Sequence, residues 1–329
     1  MRAPPFAGDF MPELPEVETM RRGVEPIVGH RILAAEQPPC EKRPILLQPG
    51  IAQFDACVRG QQVRAVGRLG KRVLIELQDG QTLVIEPRMT GLVLLSDPPG
   101  PEHLRLRLRL AGGPHRELLF WDRRGLGTVR LLKPSQLEQQ VRGRLGEDAM
   151  RISTGQLRDR LRLSRRPIKV ALLDQSVVAG IGNLYAAEIL FVAGVDPRTR
   201  CDRLTGPQWQ RIWWATGQVL GEAIEHEGST LSDGTYRNAL NQQGGYQNYH
   251  RVYDRANQKC RRCDSGVIRR IVQAQRSTFF CPSCQRKTGL HASIPRDSSF
   301  GGRPNRGTLE HGSLPLDAPI RTPLASENR

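Results

Sequence analysis

Four of the seven cysteines fall in two tight pairs, Cys260 with Cys263 and Cys281 with Cys284, giving C-x2-C-x17-C-x2-C. That spacing lies inside the window of a four-thiolate zinc site. Two disulfides are the other use of such pairs. The N-terminus MRAPPFAGDF lacks the continuous apolar stretch of a secretory signal, however, and a reducing compartment disfavours them. One structural Zn2+ is therefore expected. Cys40, Cys57 and Cys201 stand alone.

A second concentration of chemistry is Met11-Pro12-Glu13-Leu14-Pro15-Glu16-Val17-Glu18-Thr19. Read locally, it is an acidic helix start. If Met11 is the initiator, its removal leaves Pro12 with a free secondary amine. An α-amino group titrates near about pH 8, so part of it is an unprotonated nucleophile at neutral pH. Attack of such an amine on a sugar's anomeric carbon gives a permanently cationic iminium, an electron sink, and Glu13 beside it can move the protons involved. If the residues ahead of Met11 are retained, Pro12 is an amide nitrogen and this chemistry is closed. Lys71 follows the Arg68-Leu69-Gly70 turn and opens a strand. Its amine either reaches a site at that strand end or stays a surface group.

Other segments suit a polyanion. Ala179-Gly180-Ile181-Gly182-Asn183 makes a tight turn between two helices, with Asn183 placed to cap the second and exposed amides able to hold a phosphate. Arg165-Arg166-Pro167-Ile168-Lys169 lies just upstream, and Arg276 sits at a turn inside the cysteine module. The stretches Arg88-Met89-Thr90-Gly91 and Asp122-Arg123-Arg124-Gly125-Leu126-Gly127 pair an apolar side chain with arginine on a loop. Such a pair can wedge a base stack while the guanidinium fills the vacated space; core packing is the other reading of Met89. The formal charge of +16 points the same way, because a field of that sign draws phosphates. Nucleic acid leads as partner. No apolar run approaches the roughly 18 residues of a membrane span, and no basic amphipathic anchor stands out.

The elements that must position these groups come in three blocks. At roughly 100–200 residues per domain, 329 residues suggest two domains and a small third. Residues 12–22 read as a helix start with Pro15 early. From about 61 to 132 the pattern is β: Val73 to Leu77 and Leu83 to Ile85 flank a Gln78-Asp79-Gly80-Gln81 turn, and Leu118 to Trp121 is a further strand. Leu104 to Leu110 alternates leucine with Arg105, Arg107 and Arg109, which predicts a leucine face and an arginine face. Short strands with turn punctuation argue for a sandwich or barrel. Helices are expected over Gln156–Leu163, Lys169–Val177, Leu184–Ala193 and Gln208–His226, then two short strands, Val267–Val272 and Thr278–Phe280, in the cysteine module. The stretch 287–329, rich in Gly, Pro, Ser and Arg, is expected to be disordered.

In this order, the segments resemble the formamidopyrimidine-DNA glycosylases, bacterial enzymes that remove 8-oxoguanine and ring-opened purines from DNA. The likeness runs from Met11 to about Arg286. The family start M-P-E-L-P-E-V-E-T matches Met11–Thr19 at every position. The resemblance implies Pro12 as Schiff-base nucleophile, Glu13 as the acid acting on the sugar and Glu16 as a supporting carboxylate. It makes Lys71 the lysine of an R-x-x-K segment tied to proton transfer during strand cleavage. Asn183, within Gly180–Tyr185, and Arg276, within Gln275–Cys281, become grips on the phosphate beside the lesion. Met89, Arg124 and Leu126 become the groups filling the gap left by a flipped base, with His103, Arg165 and Lys169 among the DNA contacts, and Gly228–Gln247 the loop over that base.

The implied architecture is α+β and multidomain. An N-terminal β-sandwich with flanking helices (12–135) follows an extension (1–11) absent from the active protein. A helix–two-turn–helix domain (136–250) and a zinc β-ribbon (251–286) complete it. The implied partner is damaged double-stranded DNA bound by a monomer in the cytoplasm, with β- and δ-elimination after base removal. Leucine at 126 departs from the family's aromatic wedge, and the residues before Met11 are the other departure. An endonuclease-VIII-like relative acting on oxidised pyrimidines would start P-E-G-P-E, so Leu14 favours the purine branch. A non-catalytic zinc-containing DNA-binding protein is the alternative if Pro12 is internal.

Overall fold

Pro15 stands in the first turn of α1 (Leu14–Val24), where its missing N–H has no intrahelical acceptor to lose. Leu14, Val17, Met20 and Val24 recur at helical spacing and are fully buried. The computed structural model describes residues 11–230 and 236–286; the ten residues ahead of Met11, the tail 287–329 and residues 231–235 of the Gly228–Gln247 loop lie outside the described residues.

After α1 come β1 (Arg31–Glu36), β2 (Leu46–Gln48), α2 (Ile51–Val58), β3 (Val63–Leu69), β4 (Arg72–Leu77), β5 (Thr82–Glu86), β6 (Gly91–Leu94), β7 (Leu104–Ala111), β8 (Glu117–Asp122) and β9 (Thr128–Leu132). They form a four-stranded sheet, β1-β7-β8-β6, and a five-stranded sheet, β2-β9-β5-β4-β3. Ile75, Ile85 and Val129 of the larger sheet share one core with Leu106 and Phe120 of the smaller, which makes the sandwich. Leu74 and Val84, alternate in their strands, instead pack with Leu132 beneath Leu137 of α3 (Pro134–Gln140).

One strand departs from its period. Leu104, Leu106, Leu108 and Leu110 are buried as expected, but Arg105 is also only 2% exposed and does not join Arg107 and Arg109 on an open face. The β7–β8 register shifts between Leu104 and Leu106, and this irregularity lets Arg105 turn inward.

The helical block follows: β10 (Glu147–Asp148), α4 (Thr154–Leu161), α5 (Ile168–Leu172), β11 (Val178–Ala179), α6 (Asn183–Val192) and α7 (Gly206–Glu225). β10 and β11 pair in parallel. α5 ends five residues before the expected Val177. The Asp174 carboxylate accepts from both the amide and the hydroxyl of Ser176, offering the backbone a turn in place of a helix. β12 (Arg269–Gln273) and β13 (Arg276–Phe280) form the antiparallel ribbon. Among the described residues no helix is long and apolar enough to cross a membrane.

Candidate active site

The start of α1 meets the start of α6, and glycine permits the contact. Leu14 N–H donates to the Gly180 carbonyl at 3.0 Å. Gly180 has φ +111°, and a Cβ there would lie 2.5 Å from Leu14 Cδ1. At Gly182 a Cβ would fall 2.3 Å from the carboxyl carbon of Glu13. The bare backbone lets that carboxylate take the amides of Gly182 at 2.5 Å, Leu184 at 2.9 Å and Tyr185 at 3.4 Å. Glu13 therefore caps α6 from far along the chain, a carboxyl group seated on the positive end of a helix.

This corrects the expectation for Asn183. The N-cap of α6 is Gly182, so Asn183 is already the first helical residue, and Glu13 from far along the chain takes the amides of Gly182, Leu184 and Tyr185. Asn183 Oδ1 instead accepts from Lys169 Nζ. Lys169 is itself fully buried, unlike the exposed Arg165 upstream, and Nζ also reaches the Ser277 carbonyl at 3.5 Å. α5, α6 and the ribbon thus meet at one amine. Burial, then the charge of Arg276, pushes Lys169 down to about 8.

Pro12 is buried beside Glu13. Burial raises the Glu13 carboxyl above its ordinary value, against the charge of Lys71 and the three amides, which favour the anion. Glu16, one turn on, accepts from Tyr185 Oη at 2.5 Å and from the amides of Ser229 and Glu13, both at 2.9 Å. Burial, then the charge of Glu13, pushes it up to about 7. Lys71 follows Gly70, whose φ of +56° turns β3 into β4. Desolvation lowers its amine; Glu13 and Glu16 oppose that shift, and Arg276 adds to it. Glu13, Glu16, Lys71 and Arg276 therefore share one electrostatic neighbourhood. Arg68 fixes the approach to it, donating to Glu18 at 3.0 Å, to Asp148 at 2.6 Å and to the Gly70 carbonyl at 3.0 Å.

In the cysteine module, Cys260 and Cys284 lie 3.8 Å apart at sulfur, as do Cys263 and Cys281, and all four sulfurs fall within 4.8 Å of one another. A tetrahedron with Zn–S bonds of about 2.3 Å has edges of about 3.8 Å, so the four thiolates fit one structural zinc. Arg262, between the first two ligands, donates to the Phe191 carbonyl at 2.8 Å and lies 4.1 Å over the Phe191 ring. It thereby joins the module to the C-terminal end of α6. Ala274 and Gln275 both adopt positive φ in the ribbon turn, presenting the exposed Arg276 at the start of β13.

The wedge candidates lie on neighbouring loops. Met89 and Leu126 are half-buried, outside the buried core, and Arg124 is exposed. His103 packs edge-on against Trp121, with ring centroids 5.4 Å apart.

Sequence reasoning missed Tyr185, Ser229, Arg262 and Arg68. Tyr185 lay inside the glycine-turn signature, which was the one signal available. Glu188 was missed too. It is fully buried and accepts from the amides of Arg251, Val252 and Tyr253 at 2.8–2.9 Å, fixing the lead into the zinc module.

Known proteins resemble the chain along most of its length. Residues 11–129 match the formamidopyrimidine-DNA glycosylase N-terminal domain, 145–235 its H2TH domain, and 257–286 the zinc finger found in FPG and IleRS. The chain is 40% identical over 285 residues to the formamidopyrimidine-DNA glycosylase of Chloroflexus aggregans, covering 84% of this chain and 98% of that one. It is 38% identical to the enzyme of that name from Streptococcus mutans, covering 84% and 100%. Lactococcus lactis Fpg, solved in complex with DNA containing an abasic site, superposes with a TM-score of 0.74 at 31% identity, over 84% of this chain and 100% of that one. The MutM (Fpg) protein of Thermus thermophilus gives 0.72 at 36%, over 83% and 98%. The chain belongs to the formamidopyrimidine-DNA glycosylase family.

Proposed function

We propose that this chain excises oxidised purines, 8-oxoguanine and formamidopyrimidines, from duplex DNA and then cleaves the strand at the resulting abasic site. The observation that carries the reading is the seat of Glu13. It places an acid with a raised pKa directly after Pro12, within the field of Lys71 and against the α6 turn. The family match begins at Met11, which supports a working chain whose first residue is Pro12.

A base inside a duplex must leave the stack before its sugar can be attacked. Met89, Arg124 and Leu126 fill the space it vacates, while Arg165, Asn183, Arg276 and His103 face the DNA and the buried Lys169 acts behind them by holding Asn183. The Pro12 lone pair then forms a bond to the anomeric carbon, the glycosidic bond breaks with its electrons leaving on the base, and the proton lost from the Pro12 nitrogen goes to that base. Glu13 gives its proton to the ring oxygen as the sugar opens to the iminium. Loss of the C2′ proton expels the 3′ phosphate, and a second elimination expels the 5′ phosphate, leaving a one-nucleotide gap. Lys71 serves the proton transfers of these cleavage steps, and Glu16 supports the site. Cys260, Cys263, Cys281 and Cys284 would hold the zinc, which supplies folding free energy to the ribbon and no chemistry to the sugar.

The functional division is into 12–135, 136–250 and 251–286. One chain carries every group named, which suits a monomer working on the DNA of a bacterial cytoplasm. The test uses protein starting at Pro12 and duplexes carrying 8-oxoguanine or an oxidised pyrimidine. Release of the free purine with a one-nucleotide gap is expected. Preferential release of the pyrimidine, or DNA binding without release of either base, would overturn the reading.

A further inference from the structure

The loops assigned to the opened base step are joined beneath the surface. Asp122, fully buried at the end of β8, accepts from Thr90 Oγ1 at 2.5 Å and from the amides of Gly127 at 2.7 Å and Arg124 at 3.2 Å. Thr90 Oγ1 in turn accepts from the Arg124 amide at 2.9 Å. One carboxylate and one hydroxyl thus tie the residue after Met89 to the loop carrying Arg124 and Leu126.

Arg105 closes this network from behind. Turned inward by the irregularity in β7, it donates Nε to the Asp122 carbonyl at 2.8 Å and reaches the Arg123 carbonyl at 3.5 Å. Its remaining terminal nitrogen meets Cys40 Sγ, and Cys40 donates to the Glu102 carbonyl at 3.0 Å. A cavity of about 280 Å³, lined by Cys40, Pro44, Ile51 and Arg105 among others, leaves room for a different side chain there. The loop therefore hangs on a forked donor that a neutral or single-headed side chain cannot reproduce.

We infer that Arg105 is a positioning residue for the base-opening wedge. It holds the carbonyls at Asp122 and Arg123 so that Arg124, Leu126 and, through Thr90, Met89 act on the same base step. Leucine at 126 sharpens the need, since a side chain that stacks poorly depends on its frame to stay in an opened step. The inference rests on the wedge reading of the proposed function.

The experiment measures single-turnover cleavage of an 8-oxoguanine duplex and of a duplex with a pre-made abasic site, using wild type, Arg105→Met, Arg105→Lys and Thr90→Val. Zinc content and thermal midpoint check folding. Arg105→Met is expected to slow lesion excision by about tenfold while leaving abasic-site cleavage within about twofold. Arg105→Lys should recover part of the rate, because one carbonyl keeps a donor. Thr90→Val should shift the ratio in the same direction with Arg105 intact, and it decides the matter if Arg105→Met does not fold. A 2-aminopurine beside the lesion should report slower opening in the same variants. Equal losses on both substrates, or no loss on either, would overturn the inference. If wild type cleaves neither substrate, the functional reading has failed before any variant is compared.

Discussion

Glu13 and Glu16 are three residues apart, and burial raises both carboxyls, yet their partners give them different work. Glu13 faces three amides and the Lys71 charge, whereas Glu16 faces a phenol, two amides and the neighbouring Glu13. For Glu16 the sign of the pH dependence follows directly. Its value rises from 4.5 in the open chain to about 7 in the fold, so the folded state holds the proton more tightly. The stability this gives is complete below about 4.5 and is lost as pH rises through about 7. Glu16→Gln should flatten the thermal midpoint against pH across that window; an unchanged slope would mean that Glu16 is not the titrating group. The types of Pro12, Glu13 and Glu16 were readable because nucleophile, acid and spacing sit in one short segment. The capping role assigned to Asn183 was not correct, since local pattern cannot announce an acceptor that folding brings in from Glu13.

At the scale of elements, α6 works as a strut. Its first turn holds Glu13, and its last carbonyls hold Arg262 of the zinc module. Gly182→Ala should push the Glu13 carboxylate off those amides, because the new methyl has no room, and slow excision by about tenfold or more with zinc content unchanged. Wild-type rates would show that the seat tolerates displacement. Arg262→Ala should retain zinc, all four thiolates being intact, yet weaken lesion binding several-fold as the ribbon loosens from α6. Cys281→Ser should lose zinc and DNA binding together, and retention of both would refute a zinc-built module. The strands from β3 to β9 and most helices were legible, since alternation in β7 and apolar spacing in α1 follow local geometry, whereas β1, β2 and α2 drew no expectation. The inward turn of Arg105 and the early end of α5 were not. The first depends on register against β8, the second on a side-chain turn at Asp174 competing with the helix.

For the whole molecule, a formal charge of +16 must be read against where the cations stand. Arg165 and Arg276 are exposed, whereas Lys169 is buried as part of the site. Affinity for lesion duplex should therefore fall steeply with salt. Arg165→Gln should reduce the slope of log affinity against log salt by about 1, as loss of one phosphate contact requires; an unchanged slope would take Arg165 off the DNA. The Pro12 nucleophile can be caught in the act. Protein is reduced with borohydride while it acts on an 8-oxoguanine duplex, and the DNA-linked peptide is identified by mass. The trapped peptide should begin at Pro12 and carry the sugar remnant on its α-nitrogen. A remnant on Lys71, or equal trapping by a chain that retains the residues ahead of Pro12, would contradict it.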